Sequence, residues 1–309
     1  MSHDSSPQET RPSGDNNSRS GLAAAGRVDS DAGPGGLPVP STAEGRVGLA
    51  ALLDAPERAL IAVDFDGTLA PIVPDPAQAR ALPAAVAALR ALTPLVGTMA
   101  VLTGRPALTA VEYGSLDQVP GIVVLGHYGR QRWHDGELVT PPPPEGLAVA
   151  RDRLPAVLAD AAAPDGTWVE DKTDALAVHT RRAADPAAAL ERLRAPLLRL
   201  AAETGLRAEP GRLVIELRPP GADKGIALVE LAGQDRRSSI MFCGDDLGDR
   251  PAFSAVRQLR AAGQPGLGVC SGSAEVADLA DEVDLVVDGP DGVASLLGAM
   301  AAAIASPGR

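Results

Sequence analysis

Residues 59–72 read ALIAVDFDGTLAPI, an apolar run that ends in two carboxylates one residue apart and a Gly-Thr-Leu turn. Five consecutive apolar residues, 59–63, predict a strand buried on both faces. Side chains alternate along a strand, so Asp64 and Asp66 leave its C-terminal end on the same side. Two like charges that close are unfavourable unless a cation or a shared proton intervenes. Gly67 then permits a sharp turn that closes the backbone around whatever binds there. The end of this strand reads as a chemical site.

Upstream, the chain is rich in Ser, Gly, Asp, Pro and Asn with almost no apolar periodicity, and a disordered tail is expected over residues 1–45. In its last residues, Ser41-Thr-Ala-Glu44 has capping-box spacing and announces a short helix to about Leu53. Downstream, Val86, Leu89 and Leu92 have helical spacing over 83–92. A strand at 98–102 ends in Thr103-Gly104-Arg105, with Pro106 opening a helix. A strand at 122–125 follows, then a hairpin over 131–139 around Asp135-Gly136. Residues 46–139 form the first part of the core.

The run Pro141 to Pro144 is a stiff connector and marks a boundary. Beyond it, 140–220 read as a small α/β insertion. Its expected elements are a helix at 147–158, strands at 167–170 and 175–180, a helix at 186–203 and a strand at 212–217. Pro196 is expected to kink or break the second helix. The parent pattern resumes over 221–309, with a helix at 225–231, strands at 239–243, 267–270 and 285–287, a helix from Pro251 and a terminal helix. The alternation predicts an α/β fold with a doubly wound, mainly parallel sheet, Rossmann-like, carrying the insertion. Ligands of such sheets bind beyond the C-terminal ends of the strands.

The 309-residue chain is 45% hydrophobic with a formal net charge of −12, which argues against nucleic acid or an anionic membrane as partner. Cys243 and Cys270 lie in apolar, strand-like runs and read as reduced core residues. Without a secretory apolar region at the start, the expected compartment is the cytoplasm. Of 28 basic residues only Lys172 and Lys224 are lysine, which singles out both as places that need a compact, movable ammonium.

Three further segments place reactive groups at strand ends or helix starts. Thr103 offers a hydroxyl and Gly104 a free amide beside a helix N-terminus, suited to a phosphoryl oxygen, with Arg105 adjacent. Lys224 falls in the first turn of a helix, where a cation opposes the helix dipole by a few tenths to about 1 kcal/mol. A bound phosphate with neighbouring carboxylates would offset that cost. Asp245, Asp246 and Asp249 end the strand at 239–243. Roughly five carboxylates around one point require a divalent cation, and hard oxygen ligands with a phosphate substrate favour Mg²⁺.

Taken in order, these four segments resemble the four motifs of the haloacid-dehalogenase superfamily, over about 59–288. The resemblance implies Asp64 as nucleophile, Asp66 as acid and base, Thr103 and Lys224 around the phosphoryl group, and Mg²⁺ on Asp64, Asp66 and Asp245. Asp246 and Asp249 are expected just behind. The insertion narrows the substrate: Val169-Glu170-Asp171-Lys172, Ala177-Val178-His179-Thr180-Arg181 and Val214-Ile215-Glu216-Leu217-Arg218 resemble the cap of trehalose-6-phosphate phosphatases. It implies that Glu170, Lys172, Arg181 and Glu216 bind sugar hydroxyls and phosphate, with Thr103, Gly104 and Arg105 on the phosphate side. Charged and bidentate groups suit a disaccharide, which is rich in hydroxyls and poor in apolar surface. Two places depart from the family pattern: Gly248-Asp-Arg-Pro251 after the fourth motif, and Gly126-His-Tyr-Gly-Arg-Gln131 in place of Gly-His-Gly-Glu. The expected activity is Mg²⁺-dependent hydrolysis of trehalose 6-phosphate. Alternatives are a capped phosphatase for sucrose or mannosyl-glycerate phosphates, a phosphoacceptor signalling domain, or an inactive partner subunit.

Overall fold

All five residues of β1 (Ala59–Val63) are buried, and their alternation builds two cores at once. The computed structural model describes residues 36–142, 145–172, 174–221, 223–234, 237–272 and 279–306. Ile61 and Val63 face one apolar cluster, and Leu60 and Ala62 face another on the opposite side of the sheet. Both faces must therefore be covered by helices.

β1 pairs in parallel with β2 (Thr98–Leu102) on one side and β10 (Ser239–Gly244) on the other. β3 (Val123–Gly126) extends one wing. β11 (Gly266–Ser271) and β12 (Leu285–Val287) extend the other, all parallel. A hairpin of β4 (Gln131–His134) and β5 (Glu137–Val139) adds antiparallel edge strands, giving the order β12-β11-β10-β1-β2-β3-β4-β5. Its turn places Asp135 and Gly136 at φ 48° and 86°, the left-handed pair a two-residue hairpin needs. Helices α1 (Ala43–Asp54), α2 (Pro83–Leu92), α3 (Ala107–Gly114) and α8 (Gly289–Ala305) cover one face. Helices α6 (Lys224–Gly233) and α7 (Arg250–Ala261) cover the other. The chain leaves β1 towards both wings, so the crevice at its C-terminal end is the switch point of the sheet.

A second, four-stranded antiparallel sheet has the order β6-β7-β9-β8, from β6 (Trp168–Asp171), β7 (Leu176–His179), β8 (Arg207–Gly211) and β9 (Val214–Arg218). Leu176, Val178, Ile215 and Leu217 face α4 (Glu145–Asp160) and α5 (Pro186–Glu203) in a separate apolar cluster. By alternation, Trp168, Glu170, Ala177, His179 and Glu216 occupy the other face.

Several expectations are corrected. Residues 1–35 of the expected tail lie outside the described residues, but Leu37 is buried and α1 begins at Ala43, ahead of residue 46. Thr42, not Ser41, caps that helix by accepting from the Gly45 N–H at 2.9 Å, while Ser41 is spent on the Asp284 carbonyl. Pro196 does not break α5, because Leu193, Leu197 and Leu200 are buried on either side of it and outweigh one lost backbone bond. β8 is an unforeseen strand. It contains Pro210 and lacks apolar alternation, both tolerated at a sheet edge. Both cysteines are free and buried. Among the described residues no helix is long and apolar enough to cross a membrane.

Gly48 of α1 lies against the Gly266 backbone of β11, where a Cβ would overlap the Gly266 carbonyl. Gly48→Ala should therefore lower thermal stability by about 1–3 kcal/mol, against the gain of about 0.5–1 kcal/mol usual for Gly→Ala in a helix. Melting of the two proteins compares the signs directly.

Candidate active site

The ends of β1 and β10 and the start of α6 converge on one ammonium. Lys224 Nζ lies 2.7 Å from Asp64 Oδ1 and 2.6 Å from Asp249 Oδ1, and all three residues are buried. It is the first residue of α6, which Asp223 caps by accepting from the Ile226 N–H at 2.8 Å. The two aspartates thus offset the unfavourable end of the helix dipole. Burial works to discharge Lys224, but Asp249 and Asp64 outweigh it and hold the amine's pKa well above its ordinary value. Asp249 has a second task. Its Oδ2 accepts from the backbone N–H of Asp245 at 2.9 Å and of Asp246 at 3.3 Å, which fixes the loop after β10.

Carboxylate oxygens of Asp64, Asp245 and Asp249 lie within 4.8 Å of one another. Burial pushes Asp64 well above the usual carboxylate range despite Lys224, with Asp249 and Asp245 adding to the rise. Asp245 is pushed up to about 8, first by burial and then by Asp249 and Asp246. More negative charge is gathered here than one lysine balances. An all-oxygen donor set of this kind fits Mg²⁺. The turn after β1 closes tightly on the cluster: Gly67, at φ 73°, leaves no room for a Cβ beside the Asp245 carboxylate. Its carbonyl accepts from Ser271 Oγ at 2.7 Å.

Asp66 points elsewhere. Arg105 grips it with two bonds of 2.7 Å, from Nε to Oδ2 and from Nη2 to Oδ1, and donates a third to the Pro76 carbonyl. Thr103 is buried and its Oγ1 accepts from the Arg105 N–H at 3.1 Å, shaping the loop that carries the arginine. Gln131 Oε1 accepts from the Ala107 N–H at 2.8 Å and satisfies the start of α3. Arg250 pairs with Glu282 at 2.7 Å.

The second sheet turns its polar face to this crevice. Lys172 Nζ donates to Glu216 Oε2 at 3.0 Å, and the Tyr128 hydroxyl, from the loop after β3, reaches the same oxygen at 3.3 Å. Glu216 Oε1 is buried and has no hydrogen-bond partner among the described residues. Glu170 Oε2 lies 2.9 Å from His179 Nε2; that bond, with Lys172 and Arg105 adding to it, holds its carboxyl below the usual range against partial burial. His179 stacks on Trp168 with ring centroids 4.5 Å apart. His127 is buried, its Nδ1 3.2 Å from Asp174 Oδ2, so it ties the two sheets together.

The structure thus brings together Asp64, Lys224, Asp245 and Asp249 in one group and Glu170, Lys172 and Glu216 in another, with Asp66 and Arg105 between. Asp246 is exposed and caps the turn Leu247–Asp249. Arg181 is not brought in: it lies beyond the end of β7 and is exposed, while His179, in register with Trp168, holds the place beside Glu170. Tyr128, His179 and Asp174 were missed by sequence reading, although the period-two rule applied to β7 already puts His179 on the face of Ala177.

The chain matches the trehalose-phosphatase family over residues 62–282. It is 36% identical over 65% of its length to an uncharacterized glycosyl hydrolase of Mycobacterium tuberculosis, of which it spans 15%. It is 31% identical over 81% of its length to the trehalose-phosphate phosphatase of Mycobacterium marinum, of which it spans 63%. Among solved structures, the C-terminal domain of Candida albicans trehalose-6-phosphate phosphatase superposes with a TM-score of 0.67 at 20% identity, covering 85% of this chain and 98% of that one. This last likeness is one of fold.

The raised carboxyls set a pH signature for the metal-free protein. Asp245 titrates near 3.8 when free and near 8 in the fold, so between those values the folded state holds more protons than the unfolded one. Stability in chelator is therefore fullest below about pH 4 as far as this group is concerned, and declines as pH rises towards 8. Relative to an Asp245→Asn variant, wild-type melting temperatures in EDTA should fall across that window, and excess Mg²⁺ should flatten the difference. Thermal melts at several pH values with and without Mg²⁺ measure both.

Proposed function

The chain belongs to the trehalose-phosphatase family, and on that premise we propose that it hydrolyses trehalose 6-phosphate to trehalose and phosphate. The observation that carries this reading is the pairing of two sites across one crevice. A buried Asp64–Lys224–Asp249 group suits phosphoryl transfer, and a polar sheet face with an unpartnered Glu216 oxygen suits sugar hydroxyls.

In the reaction, an Asp64 oxygen attacks phosphorus in line, and the bond from phosphorus to the sugar oxygen breaks. Lys224 favours the anionic, attacking form of Asp64, which burial alone would protonate. Asp66 gives its proton to the departing sugar oxygen, then takes one from the water that hydrolyses the aspartyl-phosphate. Both Asp66 oxygens accept from Arg105 in this structure, so the arginine must release one of them before the carboxyl carries the proton. The Thr103 hydroxyl and the Gly104 amide line up on the phosphoryl oxygens with Lys224, offsetting charge that spreads over them. Mg²⁺, held by the carboxylates of Asp64 and Asp245 with the Asp66 carbonyl, would neutralise further charge on the phosphoryl group. Asp249 positions both the Asp245 loop and Lys224. On the sugar side, Glu170, Lys172 and Glu216 select the substrate and shield the crevice from bulk water.

A phosphate-release screen over trehalose, sucrose and mannosyl-glycerate phosphates tests the substrate, and trehalose 6-phosphate should be turned over with the highest kcat/KM. Asp64→Asn should abolish turnover in a protein that still folds, since an amide does not attack phosphorus. Asp66→Asn should cost far more on a sugar phosphate than on an aryl phosphate, whose leaving group departs without a proton; equal losses would remove its role as acid.

The sugar face makes a separate prediction. Each charge-assisted hydrogen bond lost there costs roughly 1.5–3 kcal/mol, about tenfold to over a hundredfold in kcat/KM. Glu216→Ala and Glu170→Ala should therefore cripple hydrolysis of trehalose 6-phosphate while an aryl phosphate is nearly spared. Steady-state kinetics on the two substrates checks it.

A further inference from the structure

We propose that Tyr128 is a positioning residue for sugar recognition: its hydroxyl, reaching from the catalytic layer, sets the Glu216 carboxylate so that its free oxygen meets the sugar. The inference rests on the sugar-phosphatase reading of this site and adds a residue to it.

Tyr128 occupies an expensive backbone position. His127 and Tyr128 are consecutive non-glycine residues in the left-handed region, at φ 48° and 58°. For a bulky aromatic residue this conformation is uncommon and persists only where surrounding contacts enforce it. Those contacts are specific. The His127 N–H donates to the Arg105 carbonyl and the Tyr128 N–H to the Thr103 carbonyl, both at 2.9 Å, so the turn is fastened to the loop expected to hold phosphate. A Cβ on Gly104 would lie 2.7 Å from the Tyr128 hydroxyl, so that glycine leaves the phenol its place. Gly129 packs on Ala227 of α6, the helix that begins with Lys224.

The ring is sandwiched from the other side by the second sheet. The Arg218 guanidinium lies 4.3 Å from the ring centroid, and the hydroxyl reaches Glu216 Oε2 at 3.3 Å. Lys172 holds the same oxygen at 3.0 Å. Two donors from two layers thus fix one oxygen of a carboxylate that is about nine-tenths buried, and the other oxygen is left buried without a partner. A buried acceptor in that state is costly unless a ligand donates to it. Burial, with Glu216 adding to it, pushes the phenol up to about 12, so it stays a donor across the working pH range.

Tyr128→Phe removes only the donor and keeps the ring under Arg218. Measured on the sugar phosphate that the wild type turns over best, it should lower kcat/KM about tenfold, chiefly through KM, with an aryl phosphate changed less than twofold. In a Glu216→Ala background the same substitution should add less than twofold, because the carboxylate it sets is gone. Wild-type rates on both sugar phosphates and aryl phosphate are read first, so failure of the trehalose reading shows there and not in the variant ratio. An unchanged Tyr128→Phe enzyme, an equal loss on both substrates, or a full additional loss in the Glu216→Ala background would each overturn the proposal.

Discussion

The ammonium of Lys224, 2.7 Å from Asp64 and 2.6 Å from Asp249, is the contact on which the buried polar cluster of the parallel sheet depends. Three ionisable groups are buried in one place, where each has lost its hydration and their mutual pairing compensates. Removing one partner of such a group leaves an uncompensated buried charge, which typically costs about 3–5 kcal/mol. The lysine is available because α6 starts there, and α6 starts there because Asp223 caps it. Asp249 then carries the constraint to the Asp245 loop through backbone N–H bonds. One side chain thus links the ends of β1 and β10 with the start of α6.

The molecule divides its labour by the two kinds of sheet it contains. In the parallel sheet both faces are covered by helices, so its polar groups emerge only at strand ends, clustered and buried. The antiparallel sheet is covered by α4 and α5 on one face, which leaves a full polar face to the crevice. Strand ends suit a small, highly charged reacting group, and a sheet face suits a larger ligand with many hydroxyls. Several contacts join them: Arg105 influences Glu170 across the crevice, His127 meets Asp174 in a buried pair at 3.2 Å, and the Tyr128 hydroxyl reaches Glu216 at 3.3 Å.

Electrostatics and turn geometry are coupled in the same region. Gly67 permits the backbone to close on Asp245, and that closeness contributes to a cluster whose carboxyls are raised by burial and by one another. All of these parts lie within the residues, 62–282, over which the chain matches its family. The His127–Tyr128 turn sets a left-handed aromatic residue between the two sheets.

Continuous apolar runs that end abruptly in polar residues, carboxylates after β1 and β10 and Thr103-Gly104-Arg105 after β2, were enough to place these strands and the polar groups at their ends from the sequence. Pro106 and the residues around Lys224 likewise marked helix starts, because capping and dipole effects act within a single turn. The partners were not legible. That Asp249 shares Lys224 with Asp64, that Asp66 is gripped by Arg105, and that His179 rather than Arg181 stands beside Glu170 all follow from register between segments 9 to 185 residues apart only in part; they also need the distances that packing sets. The unbroken α5 was hidden for a related reason, since Pro196 reads as a breaker until buried leucines supply the missing energy, and the edge strand β8 carries no apolar alternation to announce it. Local periodicity determined which elements form and which chemistry they carry to their ends. Tertiary packing decided which charges meet, because burial and pairing are properties of the assembled layers.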